Sequence, residues 1–105
     1  MIVTAWNNGK HHPTGAGYGL KISISDRDNY FKKGWEYVTL NLEGEVDPIQ
    51  VNIAKNSFWT PVCRELISKD IGLCLKKHGK LPWKKGNPPK LRMEHISENK
   101  FKVFC

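Results

Sequence analysis

Apolar and polar residues alternate in several short segments of this chain, the pattern of half-buried β-strands. The clearest case comes before residue 25, where Leu20, Ile22 and Ile24 share one face and Lys21 and Ser23 the other. Turn-forming residues such as Asn8-Gly9 and Glu43-Gly44-Glu45 separate the segments. The pattern predicts strands at residues 2–6, 20–25, 35–42, 46–53, 90–96 and 100–104.

A different spacing appears between the fourth and fifth of these strands. Apolar residues recur there every three or four positions, as on one face of an amphipathic helix. Thr60-Pro61 suits a helix N-cap and first helical position, and Gly79 suits the residue after its end. We therefore predict a helix over about residues 60–79. Its core-facing stripe would be Val62, Cys63, Leu66, Ile67, Ile71, Cys74 and Leu75.

The predicted order of elements is β-β-β-β-α-β-β, with a further helical turn at residues 26–31 capped by Ser25. A helix inserted late among antiparallel strands predicts an α+β fold, as a small antiparallel curled sheet or partly open barrel. A length of 105 residues predicts a single domain, residues 1–105. No apolar run approaches the roughly 20 residues that span a bilayer, and the N-terminal residues do not resemble a signal peptide. We therefore expect a cytoplasmic location.

The chain has three cysteines, Cys63, Cys74 and Cys105, and no CxxC motif. On one helix, Cys63 and Cys74 would lie roughly 16 Å apart along the axis, too far for a disulfide. We therefore expect free thiols, with Cys105 the most reactive. Cys74 and His78 have the i, i+4 spacing of two ligands on one helical face. A zinc site would also need Cys63 from the same helix and a fourth ligand such as His95, and Cys63 is too far from Cys74 to share an ion. We predict no metal and no cofactor.

Positive charge is concentrated in the second part of the sequence. Residues 1–60 carry six basic and six acidic side chains, whereas residues 61–105 carry eleven basic and four acidic ones, which accounts for the whole net charge of +7. Between Lys76 and Arg92 there is no acid, and Trp83 lies in the middle. Lysines would bind phosphates and the aromatic ring would stack on a base. The predicted nucleic-acid-binding residues are Lys76, Lys77, Lys80, Trp83, Lys84, Lys85, Lys90 and Arg92.

The same charges also have simpler explanations. Lys76 and Lys77 would stabilise a helix C-terminus, and a basic loop can bind an acidic protein surface instead of a polyanion. Trp83 would then be an anchor that packs on the domain. An interaction or inhibitor protein with an acidic partner is therefore the second function hypothesis.

A third hypothesis is a small metal-independent nuclease. His11 and His12 are adjacent in a Gly-rich segment, residues 11–19, and would act as general acid or base with Arg27 on the phosphate. The alternative to these catalytic candidates is an ordinary polar loop without a catalytic role. The glycines do not match a phosphate-binding loop, because a strand and not a helix follows them. They suit a flexible entry to a strand or a close approach of another backbone. Asp26 and Asp28, a conceivable metal pair, suit the first turn of a helix better.

Overall fold

The computed structural model describes residues 1–105. Seven strands alternate with two α-helices and a short 3-10 helix, residues Asn56–Trp59. The helices are α1 (Ile24–Tyr30) and α2 (Lys69–Lys77). The strands are β1 (Ile2–Asn7), β2 (Tyr18–Lys21), β3 (Tyr37–Leu42), β4 (Ile49–Asn52), β5 (Glu65–Ile67), β6 (Lys90–Ser97) and β7 (Lys100–Phe104).

All seven strands belong to one sheet, in the order β4-β3-β7-β6-β1-β2-β5. The edge strands β4 and β5 approach each other, so the sheet curls until it is nearly closed. This confirms the predicted α+β fold with a curled sheet or partly open barrel. The pairing is antiparallel except between β3 and β7, which run parallel with Leu40 opposite Phe101. No helix in the structure combines the length and the apolar character needed to cross a membrane.

The interior of the curled sheet holds the hydrophobic core. Alternate residues of each strand point into it, for example Val38, Leu40 and Leu42 of β3. Phe101 of β7 stacks on Phe31, which follows α1, with ring centroids 4.8 Å apart. Burial of such side chains contributes about 1.5–3 kcal/mol each and supplies most of the driving force for folding.

The long predicted helix is in fact two elements. Residues 65–67 form β5, which pairs with β2, and α2 starts only after Ser68, whose hydroxyl accepts a hydrogen bond from the Asp70 amide at 3.2 Å. Val62 and Ile67 are exposed, at 69% and 41%, so they do not belong to a buried helical stripe. The predicted end is close to the observed one, because His78 caps α2 and Gly79 has a φ of 70°.

The prediction of three free thiols is also wrong. Cys74 of α2 and Cys105, just after β7, form a disulfide with their Cα atoms 6.2 Å apart. Cys63 lies in the loop before β5 and is free and exposed. The predicted helical spacing concerned only Cys63 and Cys74, and no local pattern in the sequence reveals that β7 ends beside α2.

Candidate functional site

Two loops that are distant in sequence meet on one side of the domain. We call residues 8–17 the Gly-rich loop and residues 80–90 the basic loop. The Gly-rich loop packs on α2, where a Cβ at Gly72 would lie only 2.4 Å from the carbonyl oxygen of Gly15. The predicted close approach of another backbone to these glycines is thereby confirmed. Lys76 of α2 adds a hydrogen bond from its Nζ to the Pro13 carbonyl at 3.2 Å.

Trp83 joins the basic loop to the Gly-rich loop. Its ring packs edge-to-face against His11, with centroids 4.7 Å apart, and against Tyr18, at 5.8 Å. The indole is partly buried and packs on the core, whereas Tyr18 is fully buried. Aromatic edge-to-face pairs of this kind are worth about 0.5–1.5 kcal/mol beyond the area they bury. Trp83 therefore anchors the basic loop to the domain.

Both ring nitrogens of His11 are occupied by neighbouring side chains. The Asn7 Oδ1 accepts a hydrogen bond from the Gly9 amide at 3.2 Å, so the Asn7 Nδ2 donates to His11 Nε2 at 3.1 Å. The proton of the neutral ring then lies on Nδ1, which donates to the Tyr18 hydroxyl at 2.6 Å. His11 thus holds the Gly-rich loop to β2. His12 is exposed beside it.

The Tyr18 hydroxyl belongs to the same network. Burial raises the pKa of Tyr18 above its ordinary value of about 10, and a hydrogen bond with Asn7 partly opposes that shift. The phenol is therefore neutral over the physiological pH range.

A small pocket of about 230 Å³ opens where the two loops meet. Lys76 is the only lysine or arginine among its lining residues, which also include two histidines and the Tyr18 phenol. The lining residues are His11, His12, Pro13, Tyr18, Lys76, Leu81 and Pro82. Such a mixture of apolar walls and a few polar groups suits a flat ring or a single anionic group.

The predicted nucleic-acid-binding cations do not all have the same freedom. Lys84 and Lys85 are exposed at a turn closed by a hydrogen bond from the Asn87 amide to the Lys84 carbonyl, and neither forms an ion pair. Lys80 is half-buried at the start of the basic loop, and Lys90 is exposed at its end. Lys76, Lys80 and Lys90 also have no acidic partner within ion-pair distance.

Two of the predicted cations are engaged elsewhere. Lys77 pairs with Glu45 at 2.6 Å, on the side of α2 that faces the β3–β4 loop. Arg92 lies 3.7 Å from Glu94 and stacks over the Phe104 ring, 4.1 Å from its centroid. Acidic partners therefore partly neutralise the charges of Lys77 and Arg92. Of the predicted cations, those without an ion pair are Lys76, Lys80, Lys84, Lys85 and Lys90.

Arg27 is a structural residue and not a catalytic candidate. It is 6% exposed, and its Nη1 donates to the carbonyls of Phe58 at 3.0 Å and Thr60 at 2.7 Å. Its Nε donates to Asp28 at 3.1 Å, and its guanidinium lies over the Trp59 ring. A buried guanidinium with these partners holds the 3-10 helix against α1 and has no free face for a phosphate. The predicted Ser25 cap is likewise replaced by Ser23, whose hydroxyl accepts from the Asp26 amide.

A second group of chemically active side chains lies at the end of α2. Atoms of Cys74, His78 and Cys105 that could ligate a metal are all within 4.8 Å of one another. Cys63 and His95 were the further ligands considered and rejected from the sequence. Cys63 lies in the loop before β5, and His95 donates to the Glu98 carbonyl at 2.7 Å. Only the position of β7 beside α2 supplies the third member, and no local sequence signal reveals it.

No protein family, curated protein or solved structure matches this chain. Its function is therefore argued from the residues and their arrangement alone.

Proposed function

We propose that this protein binds single-stranded nucleic acid through the basic loop and the adjoining Gly-rich loop. The observation that carries the proposal is the pair Lys84 and Lys85, two exposed lysines without ion pairs on a loop that Trp83 fixes to the domain. Because the loop is already anchored, binding does not have to order its backbone. Each phosphate that a lysine contacts releases counterions, which favours binding.

The surroundings of these lysines support the same function. Lys10 and His12 of the Gly-rich loop are exposed. His11 of the same loop contacts the Trp83 ring, so the two loops lie side by side. The segment from Lys76 to Arg92 contains no acid that would repel a phosphate backbone. The pocket at the junction would accept a base between the loops while the lysines hold the backbone.

A charge-reversal experiment with a matched control tests the proposal. Lys84→Glu with Lys85→Glu should weaken binding of a fluorescein-labelled single-stranded oligonucleotide on the order of tenfold and reduce the salt slope of log K by about 1.4. Lys32→Glu with Lys33→Glu makes the identical charge change at another exposed pair and should leave both quantities nearly unchanged. Fluorescence anisotropy at several salt concentrations measures both, with DNA and RNA versions of the oligonucleotide.

The outcomes also separate the alternatives. Equal losses in the two double variants would mean that only net charge matters, and the proposed surface would be wrong. Equal binding of polyglutamate and oligonucleotide would favour the acidic protein partner. Cleavage of labelled RNA that disappears in His12→Ala would favour the nuclease, because His12 is the histidine of this loop without an assigned hydrogen bond.

The predicted cytoplasmic location belongs to the same proposal. Disulfides are rare in the cytoplasm, where thiol reductants keep cysteines reduced. In that compartment Cys74 and Cys105 would be thiols, which are able to bind a metal ion.

A further inference from the structure

The disulfide between Cys74 and Cys105 lies beside an imidazole. The Cys74 Sγ is 3.9 Å from His78 Nδ1, one helical turn further along α2. Cys74 and Cys105 are nearly inaccessible, at 0% and 7%, whereas the His78 side chain is 30% exposed. The cluster is therefore closed on the core side and open to solvent on one side.

We propose that the reduced form of this cluster binds a zinc ion through the Sγ atoms of Cys74 and Cys105 and the Nδ1 of His78. The inference does not depend on nucleic-acid binding. Two thiolates and an imidazole are ligands that zinc prefers, and with three protein ligands the fourth position is left for water or an external ligand.

The distances need only small adjustments. In a tetrahedral zinc site the two sulfurs are roughly 3.7 Å apart and a sulfur and a nitrogen roughly 3.5 Å apart, from Zn–S of about 2.3 Å and Zn–N of about 2.0 Å. The present Sγ to Nδ1 distance is 3.9 Å, and all three ligand atoms lie within 4.8 Å. Breaking the S–S bond allows the sulfurs to separate, and a rotation of the His78 side chain would turn Nδ1 from the Cys74 carbonyl towards them.

Glu43 would orient the histidine. In the disulfide form, His78 Nδ1 donates to the Cys74 carbonyl at 2.9 Å, and Nε2 lies 3.5 Å from the Glu43 carboxylate. Metal binding at Nδ1 requires the ring proton on Nε2, where Glu43 accepts it. Ligand histidines commonly donate their second nitrogen to a carboxylate in this way, which fixes the tautomer.

Conversion between the two forms is a balanced two-electron reaction. Two molecules of a thiol such as glutathione supply two electrons and two protons, the S–S bond breaks, and the thiol molecules become one disulfide. Zinc then displaces the two new thiol protons, so that protein disulfide, two thiols and Zn²⁺ give the zinc dithiolate, one small-molecule disulfide and two protons. A two-electron oxidant such as peroxide reverses the step and releases the ion.

Cobalt binding tests the proposal on the full chain, because Co²⁺ replaces zinc and reports thiolate ligands by charge-transfer absorption. We expect the reduced protein and its Cys63→Ser variant to bind one Co²⁺ with tetrahedral d–d bands, and Zn²⁺ to displace it. The oxidised protein, Cys105→Ser and His78→Asn should lack these bands. Glu43→Gln should keep them with roughly 10- to 100-fold weaker affinity.

Three results would overturn the inference. The first is the absence of thiolate-to-cobalt absorption in the reduced wild-type protein. The second is binding of the ion by His78→Asn with the same affinity as the wild type. His78 is partly exposed, so its variant should fold, and far-UV circular dichroism verifies this for every variant. Loss of the bands in Cys63→Ser would equally contradict the ligand set, since Cys63 lies outside the cluster.

Discussion

Trp83 connects the basic loop to the rest of the domain through its contacts with His11 and Tyr18. Its position between Pro82 and Lys84 identifies it as unusual for a solvated loop. The sequence left two roles open, a stacking platform and an anchor, because its contacts are to His11 and Tyr18, roughly 70 residues earlier. The observed edge-to-face packing favours the anchor, and the pocket beside it keeps base stacking as part of the proposed function.

Removing the Trp83 ring should therefore destabilise the protein. The residue is only partly buried, so Trp83→Ala should cost roughly 2 kcal/mol, below the 3–5 kcal/mol typical of fully buried aromatic residues. At this chain length the melting temperature should fall by roughly 10 °C. Trp83→Phe retains an aromatic edge against His11 and should recover most of the loss. An unchanged melting temperature in the alanine variant would mean that the ring does not hold the loop.

Tyr18 predicts a loss of stability at alkaline pH. Its pKa is raised in the folded state, so the neutral phenol is favoured there. The corresponding stability is fully present below pH about 10 and is lost as the pH rises through the folded pKa, with a slope of up to about 1.4 kcal/mol per pH unit. Urea unfolding between pH 9 and about 12 measures this, and Tyr18→Phe should lack that component.

At the level of elements, the segment before α2 shows where periodicity misleads. Ile67 and Ile71 have the i, i+4 spacing of one helical face, but Ile67 belongs to β5 and is exposed, whereas its neighbour Leu66 is buried. A strand of three residues offers too few positions to reveal its alternation. The signal that could have divided the segment is Ser68 followed by Lys69-Asp70, a capping serine with an acid in the first turn.

Two isoleucines now test this boundary with the same substitution. Ile71→Ala removes a side chain that is 1% exposed and should cost about 2–5 kcal/mol. Ile67→Ala removes one that is 41% exposed and should cost less than about 1 kcal/mol. The denaturant midpoint of each variant measures the difference. Similar midpoints for the two variants would mean that Ile67 is buried, as the single long helix predicts.

For the molecule as a whole, local patterns predicted the class of fold but not how distant parts meet. The alternation in residues 2–6, 35–42 and 100–104 gave β1, β3 and β7 almost to the residue. The parallel pairing of β3 with β7 depends on sheet order, which local alternation does not encode. The Cys74–Cys105 disulfide and the contact between the two loops depend on that order, so local patterns in the sequence do not predict them either.

The disulfide makes a prediction about the whole chain. Brief alkylation of the native protein should label one thiol, Cys63, and mass spectrometry after reduction should find all three cysteines labelled. Reduction without metal should lower the free energy of unfolding by about 3–4 kcal/mol, the chain-entropy value for a loop closed across 31 residues. Cys63→Ser provides the control, since its stability should change on reduction by the same amount. Rapid labelling of Cys105 in the native protein would contradict the bond.

The central position of β7 affects how this chain can fold during synthesis. β3 and β4 form a hairpin early in the sequence, but β7 alone joins that hairpin to the sheet of β6, β1, β2 and β5. Leu40 meets Phe101 across a separation of about 60 residues, which a ribosome adding about 5–20 residues per second needs roughly 3–12 s to make. During that interval one edge of the hairpin remains unpaired and open to other strands. A nascent chain arrested before residue 100 should therefore be protease-sensitive and recruit chaperones.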